Sequence, residues 1–224
     1  MTFHAPFDNH WQDSSTHQRK NGQPKTLFDT AEKLTQSGIS VLPVGRDKLP
    51  YSRLLPTEMN ENGEPVRDQK TGNLKHTWKP YQHQIATLDE LSDWFGPARY
   101  IAIISGEVSD GTEIIDFDDK ATGCVFEAWA AIVKAQRRKL FAKLVINTTP
   151  NNGFHCRYRY KADFYEGNKK LAETYEICPK TGEIAYDEKG NKKKVTLIET
   201  RGKGGYAVCP PSPKYEIIQG DLFN

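Results

Sequence analysis

An apolar strand that runs straight into two carboxylates, Ile114-Ile-Asp-Phe-Asp118, constrains this chain more than any other segment. Side chains alternate across a strand, so Asp116 and Asp118 share one face and Phe117 takes the other. Phe117 then needs a core, while the two acids need water or a cation. Like charges on one face repel, and hard oxygen donors at i and i+2 suit Mg2+ or Mn2+. A strand end rich in solvated acids accounts for the pair equally well, and Asp119 next door favours that plainer reading.

The surrounding pattern is one of short elements. Leu27, Ala31 and Leu34 recur at helical spacing before Gly38, which predicts a helix over 26–37, and the β-branched run 39–44 predicts a strand whose Pro43 suits an edge. Residues 45–80 are polar and turn-rich, an excursion that hairpin pairing would suit. Thr87-Leu-Asp-Glu90 is a capping box opening a helix over 88–95. The apolar runs 100–104 and 113–117, separated by a Gly/Asp-rich turn, read as a β-hairpin ending in acids. A long amphipathic helix is expected over 121–142, then strands at 144–148 and 154–160, a second hairpin-like insertion over 178–194, and strands at 195–198 and 206–208. No internal repeat is read. The count is about three helices and seven to nine strands in one α/β domain with a mixed sheet.

Composition narrows the class. The 224 residues hold 31 Lys and Arg against 29 Asp and Glu, a net charge of +2, with 37% apolar and 11% aromatic residues. That balance excludes a histone-like polycation and wholesale disorder. The longest apolar runs fall far short of the ~20 residues that cross a bilayer. Residues 1–25 lack a secretory apolar core and read as a flexible segment, which points to the cytoplasm. Cys124, Cys156, Cys178 and Cys209 include no CxxC pair, so buried free thiols are favoured over disulfides or zinc.

A third acid has the setting of the first two. Glu199 ends the apolar strand 195–198, and Arg201-Gly-Lys-Gly-Gly205 follows, where glycines let amides approach a phosphate and arginine can clamp it. His155 follows the small polar loop Thr149-Pro-Asn-Asn-Gly-Phe154; the structural reading of a lone histidine is the commoner one, and its functional alternative is a donor to a triphosphate. Between Ala128 and Ala162 stand Lys134, Arg137, Arg138, Lys139, Lys143, Arg157, Arg159 and Lys161, with no Asp or Glu. That segment could bind a polyanion, with Tyr158 and Tyr160 as stacking faces, or could be a solvated helix face.

Taken together, these pieces resemble the primase-polymerase (Prim-Pol) domain of the archaeo-eukaryotic primase superfamily over most of the chain. Its acid-x-acid motif resembles Ile114–Asp118, its histidine motif Thr149–His155, and its third motif Glu199-Thr-Arg-Gly-Lys-Gly-Gly-Tyr206 running into Pro210-Pro-Ser212. The order of the opening helix, strand 39–44, Lys48-Leu-Pro50 and the Trp94-Phe95 helix end fits as well. The sequence departs from the family at Gly153, where a serine is frequent, and at Glu199, where aspartate is common.

The resemblance implies an RRM-like catalytic core with an N-terminal αβ unit over residues 26–220, excised from a longer primase-helicase chain. It implies template-directed nucleotidyl transfer with two Mg2+ or Mn2+ ions on Asp116, Asp118 and Glu199. The nucleotide would bind at His155, Arg201, Asn151, Asn152 and Lys48, and template DNA at Arg137, Arg138, Lys139, Arg157, Arg159 and Lys203. No zinc is expected, since Cys178 stands alone in the second insertion. The partners implied are single-stranded DNA, (d)NTPs and a fused or separate helicase, with no membrane and a monomeric isolated domain, in a bacterial, archaeal or viral replicon. Two rivals use the same residues: a metal-dependent nuclease, and a non-catalytic single-strand-binding module for replication initiation.

Overall fold

The computed structural model describes residues 26–118 and 125–224. The expected flexible segment 1–25, Asp119, Cys124 and the start of the long helix lie outside the described residues. In chain order the elements are α1 (Leu27–Gln36), β1 (Val41–Val44), α2 (Leu88–Phe95), β2 (Tyr100–Ile104), β3 (Thr112–Phe117), α3 (Val125–Phe141), β4 (Val145–Thr148), β5 (Phe154–Arg159), β6 (Lys169–Tyr175), β7 (Lys194–Arg201), β8 (Tyr206–Cys209) and β9 (Ile217–Gln219).

Both short helices start as their sequences dictate. Thr26 and Asp29 exchange side chain-to-backbone bonds at 3.0 Å, and Thr87 and Glu90 do the same at 3.3 and 2.7 Å, so each helix satisfies its first free amides locally. Gly38, at φ +74°, ends the first helical unit.

The strands form two sheets, and every pairing between named strands is antiparallel. One sheet has the order β1-β2-β8, with Pro43 on its edge strand; the other has the order β6-β7-β3-β5-β4-β9. The α/β class holds, but strand polarity is antiparallel within two sheets and not mixed within one. The expected hairpin of 100–104 with 113–117 does not form. β2 and β3 belong to different sheets, because the turn between them, with Gly106 at φ +106°, Asp110 at +51° and Gly111 at +71°, carries the chain from one sheet to the other.

The two sheets have separate cores. α1 and α2 bury Leu34, Leu91 and Trp94 against β1, β2 and β8, and all of Ile101–Ile104 is inaccessible, so β2 is covered on both faces. Ile114 of β3 joins this core. Phe117, one strand face away, joins the other, packing at 5.5 Å from Phe126 and 4.9 Å from Trp129 of α3. The six-stranded sheet is thus held between α3 on one face and the smaller sheet on the other, which is what alternation along β3 requires. α3 has a backbone break at Arg137 (φ −142°, ψ 49°). Among the described residues no helix is long and apolar enough to cross a membrane.

The two polar insertions are copies of one device, and this corrects the expectation of no repeat. Residues 63–73 (Gly-Glu-x-x-x-Asp, then Gly72-Asn73) match 182–191 (Gly-Glu-x-x-x-Asp, then Gly190-Asn191). Their backbone bonds also match: Val66 N to Glu58 O, Asp68 N to Asn73 O and Lys75 N to Val66 O correspond to Ala185 N to Glu176 O, Asp187 N to Asn191 O and Lys193 N to Ala185 O, all at 2.8–2.9 Å. Each is a miniature three-stranded ribbon pinned by an aspartate that accepts amides across its second turn.

Candidate active site

The candidate site is a row of side chains across three strands of the large sheet. Asp116 on β3 pairs with Glu199 on β7 and with His155 on β5. Residues directly opposite one another in a ladder point to the same face, so this register alone gathers an acid, a second acid and an imidazole. Arg201 Nη2 donates to Asp116 Oδ2 at 3.1 Å and to Glu199 Oε1 at 2.5 Å, and His155 Nε2 lies 3.5 Å from Asp116 Oδ1. Burial by itself would raise the Asp116 pKa. The hydrogen bond and charge of His155, together with the Arg201 guanidinium, outweigh burial and hold the carboxyl at about 2.

This row floors a cleft between the two sheets. Two adjoining cavities of about 320 Å3 each share Lys48, Asp116, His155 and Arg201. The first also takes in Asp118, Glu199, Thr149 and Asn151; the second extends to Asn168, the glycine turn at 204–205, Tyr206 and Tyr215. Asp118 therefore shares a cavity with Asp116 and Glu199, and its amide donates to Leu197 O at 2.9 Å. Asn151 lines the cleft, whereas Asn152, at φ +60°, forms the turn beneath it. Lys48 stands at the rim with φ +65°, and its carbonyl accepts from Tyr206 Oη at 3.2 Å.

The acids suit a divalent cation in kind. They are hard oxygen donors, and in the described structure the place between Asp116 and Glu199 is already held by a positive group, the Arg201 guanidinium. In that arrangement no three His, Cys, Asp or Glu side chains among the described residues converge closely enough to hold an ion.

Two residues that sequence reasoning missed complete the site. Asn168 Oδ1 accepts the Gly202 amide at 3.1 Å and anchors the turn after Arg201. A Cβ on Gly202 would come within 2.3 Å of Glu166 O, and one on Gly205 within 2.3 Å of Asn168 Oδ1, so this turn needs glycine for close approach. Tyr215 lies with its ring 6.0 Å from that of His155, and burial together with the Asp116 charge pushes its hydroxyl up to about 12. Neither residue stands in a segment with a local pattern that would reveal it. The departure at Gly153 has a steric cause, since a Cβ there would meet Phe117 O at 2.3 Å and Thr149 Oγ1 at 2.9 Å.

The expected DNA-binding residues scatter. Arg157 faces inward two residues from His155, is 3% exposed and donates to the carbonyls of Asp221 and Leu222. Burial pulls its guanidinium down to about 10, and its Nε and Nη1 have no hydrogen-bond partner. It is an internal strut for the C-terminal turn and does not face a template. Arg159 is tied to Asp110 at 3.2 Å and to Ser37 O at 3.1 Å. Lys203 sits exposed on the glycine turn, 3.1 Å from Glu107. Arg137, Arg138 and Lys139 lie on α3, behind the sheet that carries the acids. Tyr158 and Tyr160 do not offer open stacking faces: the Tyr158 hydroxyl donates to Glu113, and Tyr160 packs 5.2 Å from Tyr165.

Of the cysteines, Cys156 and Cys209 are buried free thiols, and Cys178 is half-buried and free. Ser212 has a structural part: its hydroxyl accepts the Ile101 amide at 2.9 Å and donates back to Ile101 O at 3.2 Å, fastening the segment after β8 to β2. A comparison with curated proteins finds no match. The family model for the N-terminal domain of bifunctional DNA primase/polymerases (Prim-Pol) matches residues 31–221, which takes in every residue of the cleft. With the acid row, the histidine and the glycine turn all inside that match, the chain belongs to the Prim-Pol family.

Proposed function

We propose that the cleft between the sheets carries out template-directed nucleotidyl transfer from (d)NTPs, making primers on single-stranded DNA in the replication of a phage, plasmid or mobile element. The observation that carries this reading is the cross-strand row His155–Asp116–Glu199, capped by Arg201, within a Prim-Pol chain.

In the reaction, a 3′-hydroxyl attacks the α-phosphorus of a bound nucleotide. The new P–O bond forms as the bond to the β-phosphate oxygen breaks, the hydroxyl proton leaves to solvent, and pyrophosphate departs. Asp116, Asp118 and Glu199 would hold two Mg2+ or Mn2+ ions, which when bound lower the pKa of the attacking hydroxyl and neutralise the pyrophosphate. The protein's own groups do the rest. Arg201 leaves its carboxylates for the triphosphate, so one guanidinium serves the acids in the free protein and the substrate in the complex. His155, oriented by Asp116, and Lys48 at the rim add donors set in advance, and Asn151 reaches the same space. Asn168 keeps the turn that carries Arg201 in place. Lys203 meets the nucleic-acid backbone at the rim.

The test is a reaction with single-stranded template, mixed nucleotides of which one is γ-labelled, and Mn2+ or Mg2+, run with wild type beside Asp116→Ala. Short labelled products that vanish in the variant support priming. Template cleavage without nucleotides would assign the acids to a nuclease instead, and salt-sensitive strand binding with no product in any nucleotide mixture would leave a binding module.

A further inference from the structure

From the placement of α3 we infer that this chain has a second nucleic-acid surface, on the face of the large sheet opposite the cleft. Alternation along β3 sends Asp116 to the cleft and Phe117 to α3, and Phe126, Trp129 and Phe141 hold α3 against that rear face. The exposed side of α3 therefore points away from the acids. Residues 134–140 are exposed without interruption, as is Lys143, and the segment from Ala128 to Ala162 contains no acid.

What singles this surface out is how little compensates it: α3 carries a single exposed acid, Glu127, in its first turn, and none beyond it. On and beside β6 and β7 the lysines pair with acids: Lys169 with Glu166, Lys170 and Lys194 with Glu173, Lys193 with Glu176. Arg137, Arg138, Lys139 and Lys143 pair with no carboxylate among the described residues. On the rear face of β3 the acid Glu113 is engaged by the Tyr158 hydroxyl. Clustered cations, with Ile132 and Leu140 exposed beside them, make a field that a phosphate backbone neutralises with release of its counterions.

A strand on this face cannot reach Asp116, because the sheet lies between. The surface therefore holds nucleic acid remote from the reacting end and raises affinity for long strands, while chemistry on a short substrate proceeds without it. This inference rests on the reading of the chain as a nucleic-acid enzyme, yet its test separates the two.

The experiment measures binding of a long single strand, and of a short oligonucleotide that fills only the cleft, by anisotropy across a salt series, with single-nucleotide incorporation on a short primer–template alongside. The variant R138Q/K139Q/K143Q leaves the break at Arg137 untouched, and circular dichroism verifies its fold. The control K70Q/K180Q/K189Q removes the same charge from the two ribbons. Three cations that no longer neutralise single-strand phosphates should lower the slope of log K against log salt for the long strand by about 2 in the α3 variant, with affinity at least about tenfold weaker.

Short-strand binding and incorporation should stay at the wild-type level, and the control should match wild type throughout. An unchanged slope in the α3 variant, an equal fall in the control, or displacement of DNA by polyglutamate at equal charge would each overturn the inference, the last in favour of an acidic protein partner. The expected slope difference between wild type and the α3 variant, with no nucleotide incorporated by either, keeps the surface and removes the polymerase reading.

Discussion

Asp116 and Glu199 face each other across the β3–β7 ladder, and the guanidinium of Arg201 lies between their carboxylates. Two acids this close are stable in the free protein only because a cation is built in beside them. On the proposed reading the site is a cation-exchange position, which the arginine would fill until ions and a triphosphate arrive together.

Asp116→Asn and Glu199→Gln should each lower primer synthesis by about a thousandfold, roughly 4 kcal/mol of barrier, with the circular dichroism spectrum unchanged. The same variants separate metal binding from folding. Wild type should gain thermal stability with added Mn2+, by about 2.7 kcal/mol at a hundred times the dissociation constant, and Asp116→Asn should gain none. Equal stabilisation of both proteins by Mn2+ would remove Asp116 from the ligand set.

Arg201→Gln should destabilise the metal-free protein by about 1–3 kcal/mol, since it leaves two half-buried carboxylates facing one another without their shared donor. Mn2+ should restore part of that loss. A denaturant series with and without the ion reads both effects, and no recovery would show that the ion and the guanidinium do not compete for one place.

His155→Ala should raise the nucleotide KM by about tenfold, about 1.4 kcal/mol, and leave kcat within a few fold of wild type. Single-turnover kinetics would distinguish this from a defect in chemistry. A selective fall in kcat would assign the imidazole to proton transfer instead.

Gly153→Ala should cost at least about 1–3 kcal/mol, because the added methyl would lie 2.3 Å from Phe117 O, on backbone that cannot swing aside. The displaced carbonyl belongs to the residue between Asp116 and Asp118, so activity should fall with stability. Urea melts and primer assays on one preparation would test the linkage, and an alanine variant with wild-type stability would show that the loop 149–153 yields freely.

Glu90 supplies a pH signature far from the acids. Burial raises its pKa, but the Tyr81 hydroxyl at 2.5 Å and the amide and hydroxyl of Thr87 together bring it below the ordinary value of 4.5. A carboxyl with a depressed folded pKa contributes stability that is present above its unfolded value and is lost as pH falls through the folded one. Acid titration of wild type should therefore show a loss of stability beginning near pH 4.5 that Glu90→Gln lacks. Parallel curves for the two proteins would contradict the assignment.

Much of the fold was legible because its signals are local. The helical spacing of Leu27, Ala31 and Leu34, the capping box at Thr87 and the alternation of Asp116-Phe-Asp118 each depend on neighbours within a few residues, and each formed as read, while the β-branched run 39–44 gave a strand over 41–44. β6 gave no such signal. It is an edge strand whose Lys, Glu, Leu171 and Tyr175 are all exposed, with no buried apolar side chain to betray it. The sheet-to-sheet crossing at 105–111 looked like a hairpin because glycine and aspartate at positive φ serve both purposes. In the site, the pairing of Asp116 with Glu199 is a matter of register between distant strands, which residue types alone do not specify.

The basic segment was legible in its charge but not in its placement. A run of cations gives the charge of a segment but not the side it faces, and α3 turned out to lie behind the sheet. The inward aim of Arg157 could have been read from its spacing to His155, since strand residues two apart share a face. The two ribbons went unnoticed as a repeat because their shared residues are the commonplace ones of turns.

Two of the backbone passages that join the sheets, 105–111 and 202–205, run against each other. Ser105 N donates to Gly205 O at 2.9 Å, and a Cβ on Gly106 would stand 2.9 Å from the Lys203 Cα. They behave as one hinge pin, with Arg201 mounted at its end. Any parting of the two sheets at this point would carry that arginine along, so on the proposed reading the opening of the cleft and the grip on a triphosphate would be a single mechanical variable.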